Sequence, residues 1–201
     1  MPDRFWEQPI ESGPQPTSGS RFDIIVVGGG PGGSAAASYA ALAGHRVLLL
    51  DRAVWPRDKT CGDAVGGKSL SHVEELGVRE RLEASPHFSI TGVLFSSPRG
   101  DEIQVLRPDG MLSGYVLPRL QFDHIMFQRA CELVLEVGGA VMQGFSVREV
   151  LFDNSANGPD PGPGVGDLRR VTGVAGDTGN RTKPLVFSAP LIIGAGGGRC
   201  P

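Results

Sequence analysis

The chain has 201 residues, 40% hydrophobic and 20% charged, which is enough apolar material for one core with an appended lobe. Its net charge of -3 comes without a cluster of Lys and Arg, which excludes a nucleic-acid footprint. No apolar run approaches the ~20 residues that cross a bilayer, and three cysteines, Cys61, Cys131 and Cys200, form neither a paired framework nor a Cys-x-x-Cys knuckle. The N-terminus lacks the apolar middle of a signal peptide, so the expected location is the cytoplasm.

Residues 1–20 are rich in Pro, Ser and Gly and carry little to bury, which predicts a disordered tail. Order is expected from Arg21. The run "FDIIVV", Phe22 to Val27, reads as a buried strand; "GGGPGG" follows, then the Ala-rich helical stretch "SAAASYAALAG", ended by Gly44, and a second buried strand in "HRVLLLD". Buried strands joined by a helical crossover imply a parallel sheet. Gly28, Gly30 and Gly33 hold the G-x-G-x-x-G spacing at the strand-to-helix junction. In that setting Gly28 permits the tight turn, Gly30 lets a pyrophosphate approach the backbone, and Gly33 lets helix and strand pack closely. The helix N-terminus offers amides to the diphosphate, and Asp51, closing the second strand, can accept bonds from ribose hydroxyls.

Further on, "CGDAVGGKS", Cys61 to Ser69, matches an NTPase phosphate loop letter for letter. Such a loop must hang from a buried strand, and what precedes Gly62 is "AVWPRDKT", charged and broken by Pro56. An NTPase is therefore rejected. Arg57 and Lys59 read as solvated loop charges. Ile90 to Val105, around a turn at "SSPRGDE", and "GYVLP" read as strands of a second lobe. Apolar residues from Phe122 to Val137 recur at three- and four-residue steps, predicting a helix from Leu120 to Gly138 in which Cys131 packs. "DNSANGPDPGPGVGD", Asp153 to Asp167, reads as a flexible hairpin tip, and Leu185 to Phe187 and Leu191 to Gly194 as the last strands. His45, His72, His87 and His124 show no metal-ligand spacing and read as structural.

Three motifs in order, "DIIVVGGGPGGSAAASYAALAGHRVLLLDR", "PRDKTCGDAVGGKSL" and "GYVLPRLQFDHIMFQRA", resemble the geranylgeranyl reductase family of flavoproteins, and within it the archaeal digeranylgeranylglycerophospholipid reductases. The resemblance runs from about Arg21 to Ala195. It implies an α/β fold of the aromatic hydroxylase kind: a Rossmann-like, doubly wound FAD domain interleaved with a sheet-based substrate lobe, here about residues 88–118 and 148–188. It places Gly28, Gly30, Pro31, Gly32 and Gly33 at the FAD diphosphate, Asp51 at the ribose and Arg52 beside the adenine end. Cys61, Gly62, Asp63 and Ala64 correspond to a Cys-Gly-x-Gly loop near the flavin ring, with Ala64 in place of the usual glycine. Arg119 matches an arginine that contacts FAD, Asp123 stands four residues on where it could orient that arginine, and Val147 would offer backbone to the adenine.

The activity implied is saturation of isolated prenyl double bonds in a polyprenyl lipid, with an electron donor of unspecified kind and peripheral contact with a membrane. Cys61 is the candidate catalytic residue, for positioning or proton delivery. Gly196 stands where the family usually has aspartate, and family members run to about twice this length, so the chain reads as their N-terminal part. Two rivals stand beside the reductase: a flavin monooxygenase or halogenase of the same fold, and an inactive FAD-binding fragment.

Overall fold

A computed structural model describes residues 4–106, 111, 113–153, 170–179 and 183–197. In chain order the strands are β1 (Ile24–Val27), β2 (Val47–Leu50), β3 (Ala64–Gly66), β4 (Phe88–Ile90), β5 (Gly92–Ser96) and β6 (Glu102–Leu106). They continue as β7 (Gly114–Val116), β8 (Ala140–Met142), β9 (Ser146–Phe152), β10 (Val171–Asp177), β11 (Leu185–Ser188) and β12 (Leu191–Gly194). The helices are α1 (Pro31–Leu42), α2 (Ser69–Glu75), α3 (Arg79–Ala84) and α4 (Arg119–Glu136). The chain divides into two units, one of Pro9–Trp55 with Met126–Pro201, the other of Met1–Gln8 with Pro56–Ile125.

The first unit is built on a parallel sheet in the order β12-β1-β2-β8. Its strands are apolar at successive positions because both faces are covered, and side chains alternate between two cores. Ile24, Val26 and Leu49 face a layer of helix, where Ala37, Ala40 and Ala41 of α1 and Phe127, Ala130, Cys131 and Val134 of α4 pack. Ile25, Leu48 and Leu50 face the other way, onto Phe145, Val174 and Phe187. This second layer is the antiparallel sheet β11-β10-β9, so the parallel sheet and α/β class expected are present with helices on one face and a sheet on the other. Segment 148–188, expected in the substrate lobe, belongs here: its alternating residues fill the back of the nucleotide sheet.

The tail predicted to be disordered is instead bonded to this unit from Ile10 onward. Gln143 Nε2 donates to the Ile10 carbonyl and to Ser12 Oγ, both at 2.7 Å, and the Gly19 amide donates to the Val186 carbonyl at 2.7 Å. Ile10 also packs against the helical-face core. The attachment runs through backbone groups and one glutamine, which composition does not register.

In the second unit β3-β7-β4 form an antiparallel sheet and β5-β6 a hairpin, as the alternation around "SSPRGDE" predicts. Its buried side chains include Val65, Val73, Leu76, Val78, Leu82, Tyr115 and Leu117. The hairpin tip read at Asp153 to Asp167 lies outside the described residues beyond Asp153.

Candidate functional site

Where β1 meets α1, the backbone turns at Gly28, whose φ of +112° strains any residue with a side chain. A Cβ there would lie 2.6 Å from the Ala195 carbonyl, and one at Gly33 would lie 1.7 Å from the Gly28 oxygen. Both glycines thus permit the close crossing of strand, loop and helix that the spacing requires. Gly30 caps α1 in extended conformation and Pro31 occupies its first turn, where the missing N–H costs nothing. At Gly32 an added Cβ would meet nothing within 4 Å, so the first turn faces open space. The amides of Gly32 and Gly33 have no acceptor within the helix, which makes this end a cradle for an anion.

The Gly29 peptide between these residues is clamped on both sides. Its N–H donates to Asp51 Oδ2 at 2.7 Å, and its carbonyl accepts from Ser34 Oγ at 2.8 Å. Beneath it lies Phe127, stacked on Trp55 with ring centroids 4.5 Å apart, and a Cβ at Gly29 would come 2.5 Å from that phenyl ring. Asp51 Oδ1 also accepts from the Ala53 amide at 2.8 Å. This buried carboxylate therefore shapes the loop as well as offering its remaining lone pairs to a ribose. Ser34 and Phe127 were not signalled by the motif. Arg52 is exposed, and Val147 lies half-buried in β9, paired with Gly176. A glycine cradle, unpaired amides and an acid at the end of β2 fit the adenosine diphosphate part of a dinucleotide.

A second cluster lies in the other unit. Arg119, at the start of α4, donates from Nε to Asp123 Oδ1 at 2.6 Å and from Nη2 to Oδ2 at 2.9 Å. Asp123 is fully buried, and Arg57 Nη1 reaches the same Oδ2 at 3.0 Å. The hydrogen bonds from Asp123 raise the Arg119 pKa, and Cys61, itself exposed, hydrogen-bonds the same guanidinium. The structure thus joins Cys61, Arg119 and Asp123, which the sequence links only by resemblance, and adds Arg57, which reads in sequence as a solvated charge. Gly62 has open space where its Cβ would be, and Ala64 is exposed on β3, so neither is crowded by its own unit.

The phosphate-loop lettering at Gly62 to Ser69 runs through β3, a three-residue antiparallel strand, into the seven-residue α2. This is not the buried parallel strand and long helix of an NTPase. His124 is buried with Nδ1 lacking a partner, and burial pushes its pKa down to about 4, which keeps it neutral. Among the described residues no group of three or more His, Cys, Asp or Glu is placed to hold a metal.

The fold and the glycine cradle define a dinucleotide-binding oxidoreductase unit, and comparison with known proteins specifies the nucleotide. Residues 23–56 match the FAD dependent oxidoreductase family. The menaquinone reductase of Mycolicibacterium smegmatis is 32% identical over 178 residues, covering 88% of this chain and 38% of that protein. Digeranylgeranylglycerophospholipid reductase 1 of Methanopyrus kandleri is 38% identical over 117 residues, 58% of this chain and 29% of that protein. Among solved structures, the myxobacterial chondrochloren halogenase, which is FAD-dependent, superposes with a TM-score of 0.70 at 28% identity over 90% of this chain and 38% of that one. A geranylgeranyl bacteriochlorophyll reductase-like protein of Thermoplasma acidophilum shares the fold, with a TM-score of 0.59 at 22% identity over 88% of this chain and 39% of that one. The chain belongs to the FAD-dependent oxidoreductases, with FAD as its cofactor, and within them it resembles the geranylgeranyl reductase family. It spans 38% or less of the curated relatives named here.

Proposed function

We propose that this chain carries the FAD-binding part of an enzyme that saturates isolated double bonds in the isoprenoid chain of a lipid. The observation that carries the reading is the bond between Cys61 and Arg119, which unites the "KTCGD" and "LPRLQFD" motifs in one cluster. Relatives named as reductases of menaquinone and of digeranylgeranylglycerophospholipid support it, since both are isoprenoid lipids. Bound FAD, once reduced, supplies the hydride for such chemistry. The α1 amides and Gly32 hold the diphosphate, Asp51 keeps the loop in shape, and Arg119 contributes a fixed positive charge. Cys61 is the protic group of the cluster, positioned to orient substrate or hand over a proton from Sγ. An unactivated alkene offers no carbonyl to polarise, so rate must come from positioning and from exclusion of water.

A lipid substrate also implies contact with a membrane surface, although no helix among the described residues is long and apolar enough to cross one. The electron donor is part of the same proposal. The likeness to an FAD-dependent halogenase keeps oxygen chemistry as a second reading.

The test begins with the visible spectrum of the purified chain and identification of any flavin released on denaturation. Stoichiometric FAD, followed by a gain of two hydrogens per prenyl unit in a geranylgeranyl lipid under anaerobic reduction, supports the reading. Oxygen consumption with modification of an aromatic substrate replaces it with the second. A chain that takes up FAD and performs neither is the inactive fragment.

A further inference from the structure

The Arg57–Asp123–Arg119 cluster holds more positive charge than its carboxylate requires. Asp123 is fully buried, and Arg119 alone occupies both its oxygens in a bidentate pair, which already satisfies a desolvated carboxylate. Arg57 nevertheless closes on Oδ2 from a loop 66 residues away in sequence, with 19% of its side chain exposed against 11% for Arg119. Two guanidiniums on one carboxylate leave a surplus of one positive charge. A pair needed only for packing would have been complete, and neutral, without the second arginine.

We infer that Arg57 is a positioning residue for FAD binding: by sharing Asp123 it keeps the Arg119 guanidinium from being fully neutralised, so that the cluster presents net positive charge to an anionic part of the cofactor. The inference rests on the FAD reading of the site and deepens it. Asp123 sets where Arg119 points, and Arg57 sets how much of its charge is left to act. Cys61, on the same guanidinium, lies where that charge is felt. The surplus charge also requires an ionic-strength dependence, because a partly exposed cationic cluster is screened by salt.

The test titrates FAD into the full chain by flavin fluorescence, with Arg57→Met, Arg57→Lys and Asp123→Asn beside the wild type, at low and high salt, together with the thermal midpoint of each apoprotein. Arg57→Met is expected to weaken FAD binding about tenfold and to flatten its salt dependence, while Arg57→Lys recovers most of both. Asp123→Asn adds positive charge yet is expected to weaken binding, because Arg119 is no longer held. A wild type that binds FAD and an Arg57→Met variant of equal affinity and salt dependence overturns the inference and leaves the FAD reading intact. Equal losses in the Lys and Met variants, matched by a fall in apoprotein stability, also overturn it, since the role is then packing. A wild type that takes up no FAD overturns both.

Discussion

At the scale of single residues, the glycine cradle separates two kinds of glycine. Gly33 is required by the fold, because a Cβ would strike the Gly28 carbonyl at 1.7 Å, whereas Gly32 faces open space. Gly33→Ala should destabilise the chain by more than about 2 kcal/mol, seen as a lower midpoint in chemical unfolding. Gly32→Ala should leave apoprotein stability equal or slightly raised, by up to about 1 kcal/mol, since alanine costs less entropy in a helix. Its FAD affinity should nonetheless fall about tenfold or more, the methyl standing where the backbone must be approached. Equal FAD affinity in Gly32→Ala and wild type would remove the diphosphate from this turn. Asp51→Ala strips the Gly29 and Ala53 amides of their acceptor and should cost about 1–3 kcal/mol before any effect on ribose. The glycines and Asp51 were legible because a short local motif forces their chemistry. Arg57, Ser34 and Phe127 were not, since each matters through a partner that no local pattern marks.

At the scale of elements, β1, β2 and α4 were legible for opposite reasons, the strands as unbroken apolar runs and the helix as a stripe of period 3.6. The sheet β9 to β11 was read as strand but assigned to the wrong lobe, because alternation shows that a face is buried and not against what. On α4, His124 gives the first unit of the helix a pH dependence with a definite sign. Its folded pKa of about 4 lies below the ordinary value of 6.5, so between those values the unfolded chain binds more protons than the folded one. Stability should therefore be fully retained above about pH 6.5 and should fall as pH drops toward 4, by at most about 3 kcal/mol. His124→Leu should flatten this acid limb in urea unfolding followed between pH 4 and 7. An unchanged acid limb in the variant would mean that His124 is protonated without cost in the fold.

At the scale of the molecule, the hairpin β5-β6 carries apolar side chains where solvent is expected. Its register sets Val93 opposite Val105 and Phe95 opposite Ile103 on one face, and Phe95 and Ile103 remain 60% and 66% exposed. Leu94 and Leu106 are exposed on the other face, so the hairpin has no polar side to turn outward. A two-stranded sheet with no covering layer is marginal in water, and an apolar one invites association. The purified chain should therefore self-associate as its concentration rises, with an average mass by sedimentation velocity above that of the 201-residue monomer. Replacing Phe95 with Lys and Ile103 with Thr should bring the mass back to the monomer while the thermal midpoint and FAD uptake hold, because neither residue belongs to the parallel-sheet cores or the glycine cradle. A monomeric wild type at high concentration would show that the hairpin is tolerated bare. Loss of FAD uptake in the double variant would instead tie these strands to the cofactor unit, a dependence the separate cores do not predict.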